Sequence, residues 1–139
     1  MMSGIKAKNT KPELDIRLGL HAMGFRYRLH PKTMPGKPDL WFPKYRAVIF
    51  VHGCFWHGHD CPLFRLPGTR QEFWKAKIDA NRARDIEVEG ALCKIGVRRL
   101  AIWECALRGP RRIGLEQTLA RVIEWLGSEE EWGDIRGGR

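Results

Sequence analysis

The chain lacks any long hydrophobic stretch: its longest unbroken apolar run, Ala47 to Val51, is five residues, against the roughly 20 that a helical membrane span needs. Met1-Met2-Ser3-Gly4-Ile5-Lys6 has no apolar h-region, so no signal peptide and no membrane partner are expected, and the cytoplasm is the expected compartment. Repeats, linkers and low-complexity tracts are also missing, and the 139 residues read as one domain spanning 1–139. That length suffices to bury a core without disulfide staples. Cysteine is limited to Cys54, Cys61, Cys93 and Cys105. With no sign of secretion, cysteines interleaved with histidines point to a metal before a disulfide framework. Acidic residues are scarce too: 16 Asp and Glu against 25 Lys and Arg leave a net charge of +9. Such a surplus is either a solvated basic surface or the footprint of a polyanionic partner, because Lys and Arg displace counterions from phosphates. What is present is 43% hydrophobic residues with six Trp and six Phe, which excludes a disordered chain.

Local patterns set out the elements. Thr10-Lys11-Pro12-Glu13 is a capping box with proline in the first turn, and the helix it opens should stop at Gly24. Phe25, Tyr27 and Leu29 alternate with Arg26, Arg28 and His30 as a half-buried strand. After a Pro/Gly-rich loop from Pro31 to Pro38, Asp39–Phe42 and Arg46–Val51 form a hairpin around Pro43-Lys44. His52 to Gly68 shows no period and reads as a long structured loop, of a kind that needs functional or metal support. Thr69-Arg70-Gln71-Glu72 is a second capping box opening a helix to about Lys94, in which Gly90 is unexplained. A strand over Val97–Trp103 and an amphipathic helix over Leu115–Leu126 follow, and residues 128–139 are polar and expected to fray. The order α-β-β-β-α-β-α predicts an α/β fold, a three-layer α-β-α sandwich around a mixed central sheet.

Three kinds of chemistry are written into the middle of the chain. Cys54, His59 and Cys61 lie within eight residues, and Cys105 ends a strand able to lie alongside. Three thiolates and an imidazole form a tetrahedral set suited to Zn²⁺, and a set closed by four ligands is structural. The alternative is small buried cysteines and a surface histidine. Cys93, in mid-helix, is expected in the core. Asp39 opens a strand that the hairpin brings beside Val51-His52, where a carboxylate, a carbonyl and a nearby histidine could hold Mg²⁺. Alone, Asp39 is equally a strand-end residue. His52 and His57 on a braced loop suit proton transfer. Glu13 is fully accounted for as the third residue of its capping box. Trp74, Asn81 and Asp85 share one helix face, too mixed for plain core. Phe55 and Trp56 suit insertion into a base stack as well as they suit packing, whereas Trp103 and Trp125 are expected in the core.

In order along the chain, Pro-Gly-Lys-Pro-Asp (35–39), Val-Ile-Phe-Val-His-Gly-Cys-Phe-Trp-His-Gly-His-Asp-Cys (48–61), Thr-Arg-Gln-Glu-Phe-Trp (69–74), Asn-Arg-Ala-Arg-Asp (81–85) and Trp-Glu-Cys-Ala-Leu-Arg-Gly (103–109) resemble the very short patch repair endonucleases. The resemblance runs from about Met2 to Trp125 and implies a restriction-endonuclease-like core. It implies Mg²⁺-dependent nicking of double-stranded DNA 5′ of the thymine in a T:G mismatch left by deamination of 5-methylcytosine. By resemblance, Asp39 is the Mg²⁺ carboxylate and Val51 lends its backbone carbonyl. His57 activates the attacking water, Asp85 orients it, His52 sits by the scissile phosphate and Glu13 supports the site. Cys54, His59, Cys61 and Cys105 match the structural zinc ligands. Phe55, Trp56 and Trp74 match the intercalating wedge, and Met2 and Ile5 fall on a DNA-binding arm over residues 1–9. Val51 stands where the family also uses Thr, a swap to which a carbonyl is indifferent. Arg99 stands where an apolar strand residue is expected, implying a local misfit. A monomer is expected, with other repair proteins as candidate partners. Two other classes fit part of the pattern: a non-catalytic zinc-braced binder of distorted DNA, and a restriction-type nuclease cutting a matched site.

Overall fold

The computed structural model describes residues 10–138; Met2, Ile5 and the rest of the 1–9 arm lie outside them. Helix α1 (Lys11–Ala22) begins with the Thr10 half of its capping box, the Thr10 hydroxyl accepting the Glu13 N–H at 3.4 Å with Pro12 in the first turn. Its inward stripe is Glu13, Ile16 and Leu20, the i, i+3, i+7 spacing of one helix face. Regular pairing in β1 is confined to Arg28–Leu29, shorter than the alternation predicts, although Phe25 and Tyr27 still pack against the core.

Strands β2 (Leu40–Phe42) and β3 (Ala47–His52) are joined by a 3₁₀ turn over Pro43–Tyr45. They pair antiparallel, with Leu40 opposite Ile49. Helix α2 (Gln71–Lys94) leads to β4 (Arg98–Trp103), which pairs parallel with β3 so that His52 lies opposite Trp103. The second capping box is not formed. Arg70 occupies the N-cap in a left-handed conformation and makes no side-chain capping bond, so Thr69 stands outside the helix. Cys93 is exposed rather than core, because the face that α2 turns inward carries Ile78 and Leu92. Gly90 has open space around it and nothing in the structure explains it.

The larger correction concerns residues 128–139. Instead of fraying, Trp132–Ile135 forms β5, parallel to β4 and last in the sheet order β1-β2-β3-β4-β5. Its anchor is Ile135, only 4% exposed and part of the main core. One inward apolar residue among polar ones is all that an edge strand needs when a parallel neighbour supplies the hydrogen bonds.

Two cores flank the sheet. One joins Ile16 and Leu20 of α1 and Val122, Trp125 and Leu126 of α3 (Leu115–Leu126) to Leu40, Ile49, Leu100 and Ile102 of the strands. The other packs Leu92 and Val88 of α2 on Val48 and Phe50. This is the expected three-layer sandwich. Truncating a fully buried residue such as Ile102 to Ala should cost about 2–5 kcal/mol. Adjacent parallel strands end together at His52 and Trp103, and the crevice beyond the carboxyl ends of such strands is where open α/β sheets bind ligands. Among the described residues no helix is long and apolar enough to cross a membrane.

Candidate metal centres and active-site cleft

Cys54, His59, Cys61 and Cys105 converge, with one donor atom from each lying within 4.8 Å of the others. The loop carries the first three, and the 3₁₀ turn after β4, Glu104–Ala106, carries the fourth. His59 Nδ1 is 3.6 Å from Cys105 Sγ. A tetrahedral zinc with Zn–S of about 2.3 Å and Zn–N of about 2.0–2.1 Å would separate sulfur and nitrogen by roughly that much. The surroundings fit a metal-bound set. Gly137, just past β5, gives its N–H to Cys105 Sγ at 3.3 Å, and the Trp103 indole stacks on the His59 ring at 4.0 Å. Burial raises the Cys54 thiol far above its ordinary range, and the neighbouring cysteines add to this. Burial raises Cys105 too. A cation that stabilises thiolates would reverse both shifts.

Gly58 lets the loop close over this cluster. Its φ is +60°, and a β-carbon there would sit 2.7 Å from Ile78 and Arg82 side-chain atoms, so both the backbone and the space require glycine. From α2, Arg82 donates to the carbonyls of His57 and Gly58, and Asn81 donates to that of Trp56 at 2.9 Å. The loop is thus held from the metal side and from the helix side.

Above it, His57 Nδ1 lies 2.6 Å from Asp85 Oδ2. An Nδ1–H given to the carboxylate leaves Nε2 with its lone pair, the tautomer that can take a proton. The His52 ring is 3.9 Å from that of His57, centroid to centroid. Burial first, then the charges of His57, Arg99 and His59, hold His52 well below the ordinary histidine range, so it is neutral near pH 7.

The carboxylates lie beside these histidines. Asp39 Oδ2 accepts the Val51 N–H at 2.7 Å. Burial, aided by the nearby Glu13 charge and opposed by the Val51 bond, pushes the Asp39 carboxyl up to about 8. Glu13 is fully buried, which its capping-box role does not require. Its Oε2 instead meets Arg17 Nη1 at 2.9 Å and His30 Nε2 at 2.7 Å. Glu13, His30 and Asp39 bring donor atoms within 4.8 Å of one another. Two acidic side chains sharing a buried pocket, one holding its proton this firmly, suit a hard cation with oxygen ligands.

A cleft of about 940 Å³ opens over Asp39, Val51, His52, His57 and Asp85. Trp56, Phe73 and Trp74 line it together with Arg70, Lys77 and Arg84. Phe55, Trp56 and Trp74 form one aromatic cluster, with centroids 5.1 to 5.9 Å apart, and Phe64 and Phe73 extend it. Trp103, expected in the core, lines the cleft. Arg99 is accommodated only in part: its guanidinium reaches Glu89 on α2 at 2.8 Å, while its Nε is buried without a hydrogen-bond partner.

The expected site residues within 10–138 therefore gather in the Cys/His cluster, the acid and histidine groups beside the cleft, and the Phe55–Trp56–Trp74 aromatic cluster. Residue-by-residue reading missed His30, Arg82 and Phe64. His30 looked like the exposed phase of a strand, and only the chain's return at Asp39 reveals its partner. Phe64 had a visible signal, an aromatic three residues past a metal-type cysteine.

A family model described as DNA mismatch endonuclease Vsr matches residues 1–63. The chain is 50% identical over 107 residues to Type II nicking enzyme V.XorIIP of Xanthomonas oryzae pv. oryzae, covering 77% of this chain and 79% of that one. It is 41% identical over 128 residues to DNA mismatch endonuclease Vsr of Escherichia coli K12, covering 92% and 82% respectively. A third relative, Type II nicking enzyme V.NmeAIP of Neisseria meningitidis, is 45% identical over 108 residues. With the mixed five-stranded sheet, these matches make the molecule an endonuclease of the restriction-endonuclease-like class. The chain belongs to the DNA mismatch endonuclease Vsr family.

Proposed function

We propose that this endonuclease is a Mg²⁺-dependent, strand-specific nicking enzyme for T:G mismatches in double-stranded DNA, cutting 5′ of the thymine and starting very short patch repair. The observation that carries the reading is the pairing, on one cleft, of an Asp-oriented imidazole (His57–Asp85, 2.6 Å) with the Asp39 carboxyl, which Glu13 backs from the buried side. The names of the Escherichia coli relative and the nicking enzymes support the substrate and the single cut.

In this mechanism His57 Nε2 takes the proton of the attacking water while Asp85 holds the ring and the charge it acquires. His52, kept neutral, donates to a phosphate oxygen rather than attracting the backbone as a cation. Asp39 and the Val51 carbonyl hold Mg²⁺, and Glu13 supports them from α1. Bound there, Mg²⁺ would neutralise charge on the scissile phosphate and on the leaving oxygen. Cys54, His59, Cys61 and Cys105 hold a structural Zn²⁺ that braces the loop. Phe55, Trp56 and Trp74 enter the stack beside the mismatch, where unstacking is cheapest, and Met2 and Ile5 act from the arm. Arg70, Lys77 and Arg84 on the cleft wall are placed to meet phosphates. The protein acts as a monomer.

One nicking assay tests this, comparing matched and T:G duplexes in Mg²⁺ with wild type, Asp39→Ala and His57→Ala. Nicking of the T:G duplex alone, lost in both variants, is expected. Equal cutting of both duplexes, or full activity in Asp39→Ala, would defeat the proposal. Mismatch binding without scission would instead select a zinc-braced DNA binder.

A further inference from the structure

We infer that His30 is a positioning residue of the catalytic centre, setting the Glu13 carboxylate against Asp39. The inference rests on the reading above in which Asp39 carries Mg²⁺. Three observations converge on His30. Its ring Nε2 lies 2.7 Å from Glu13 Oε2, the same oxygen that Arg17 contacts at 2.9 Å. Two donors converging on one carboxylate oxygen, one of them a charged guanidinium, hold that oxygen more firmly than either would alone. The His30 backbone N–H donates to the Asp39 carbonyl at 3.0 Å, so one residue is tied to both acids, to one by its ring and to the other by its main chain.

The third observation is conformational. His30 has φ +46°, the left-handed region that a β-carbon disfavours. It also precedes Pro31, and a residue before proline is pushed toward extended backbone. Glycine or asparagine would meet this turn more easily. A backbone strained on two counts persists where the surrounding contacts over-determine it, and such strain collects at functional sites. Here it is the condition for the ring to turn inward onto α1 while the chain reverses toward Asp39.

In this inference His30 acts through Glu13, on whose carboxylate its ring nitrogen is held. The supporting partners of metal-binding carboxylates are worth about 10–100-fold in metal affinity or activity when removed.

The test uses the full zinc-loaded chain, with Mn²⁺ as a spectroscopic stand-in for Mg²⁺. Electron paramagnetic resonance measures Mn²⁺ affinity without DNA, and nicking of a T:G duplex in Mg²⁺ gives kcat and KM. For His30→Ala, Mn²⁺ affinity and kcat should each fall about 10–100-fold, with KM for DNA unchanged. In His30→Gln, whose side-chain N–H can reach the same Glu13 oxygen, most of both should return. If His30→Ala does not fold, His30→Met fills the space without donating and carries the same expectation. Wild-type Mn²⁺ affinity in the non-donating variant, or equal damage in His30→Gln, overturns the inference. Wild-type Mn²⁺ affinity in Asp39→Ala defeats instead the metal reading beneath it.

Discussion

Two clusters adjoin at the end of β3, and they differ in donor atoms, depth and exposure. Cys54, His59 and Cys105 are buried and Cys61 is half-buried, with soft sulfur donors turned toward one another. Asp39 and the His52–His57–Asp85 group use oxygen and nitrogen and open on a cleft, with Glu13 buried behind Asp39. Four protein donors close a zinc site and leave no position for substrate. An oxygen site with fewer protein ligands keeps positions for water and phosphate. The same loop serves both, so its stability and its chemistry are assigned to opposite faces. In the proposed mechanism the first cluster only holds the second in place.

The largest expected effect comes from removing the brace. With Cys54→Ser, zinc should fall from about one per chain by metal analysis. Proteolysis should then open the His52–Gly68 loop, and nicking should be lost with it. A zinc-free chain that nicks at the wild-type rate would erase the distinction between brace and chemistry. The converse change is His57→Ala. It should cut nicking by about 10²–10⁴-fold, the usual worth of a general base, and leave zinc content and melting temperature near wild type. Asp85→Asn should cost less, about 10–100-fold, because the amide can still hold the ring but cannot stabilise its charge. Zinc loss in either variant would mean that the two clusters are one structural unit.

How legible was this division in the sequence? Short-range chemistry was. The Cys/His donors of the candidate metal site fall within eight residues plus a strand end, the Thr10 cap formed as written, and the hairpin put Asp39 beside Val51. What escaped were contacts created by tertiary return. β5 was hidden because one inward Ile135 among polar residues carries no period, and each of its parallel partners lies 33 residues earlier. The Thr69 box failed because Arg70 turned left-handed, where its guanidinium lies over the Phe73 ring at 4.3 Å. Glu13 shows the opposite error, since a local role that explained it fully hid its half-buried partners Arg17 and His30.

A pH series should separate the clusters on the cleft side. The Asp39 carboxyl stands at about 8, chiefly through burial, with Glu13, Arg17 and the Val51 N–H also acting on it. A carboxyl raised on folding holds a proton that the unfolded chain releases, so its contribution to stability is largest at low pH and is lost as pH rises through about 8. A cation at Asp39 must displace that proton. Mn²⁺ affinity should therefore increase by up to about tenfold per pH unit below 8 and level off above it, since one proton is exchanged. In Asp39→Asn the slope should vanish. An unchanged slope there would assign the proton to another group.

The smallest expected effect tests how the loop is shared. Arg82 holds the carbonyls of His57 and Gly58 from α2, while the cysteine cluster holds the same segment from its other side. Hydrogen bonds from a charged donor contribute about 1.5–3 kcal/mol net, so Arg82→Ala should lower the melting temperature measurably. Nicking should fall less than in Asp85→Asn, because zinc still fixes Gly53 to Cys61. Two restraints on one short segment are not independent. Partial chelation should therefore amplify the Arg82→Ala defect beyond the product of the two separate losses. Simple multiplication of the losses would mean that helix and metal hold different parts of the loop, and that the brace reaches His57 by the metal alone.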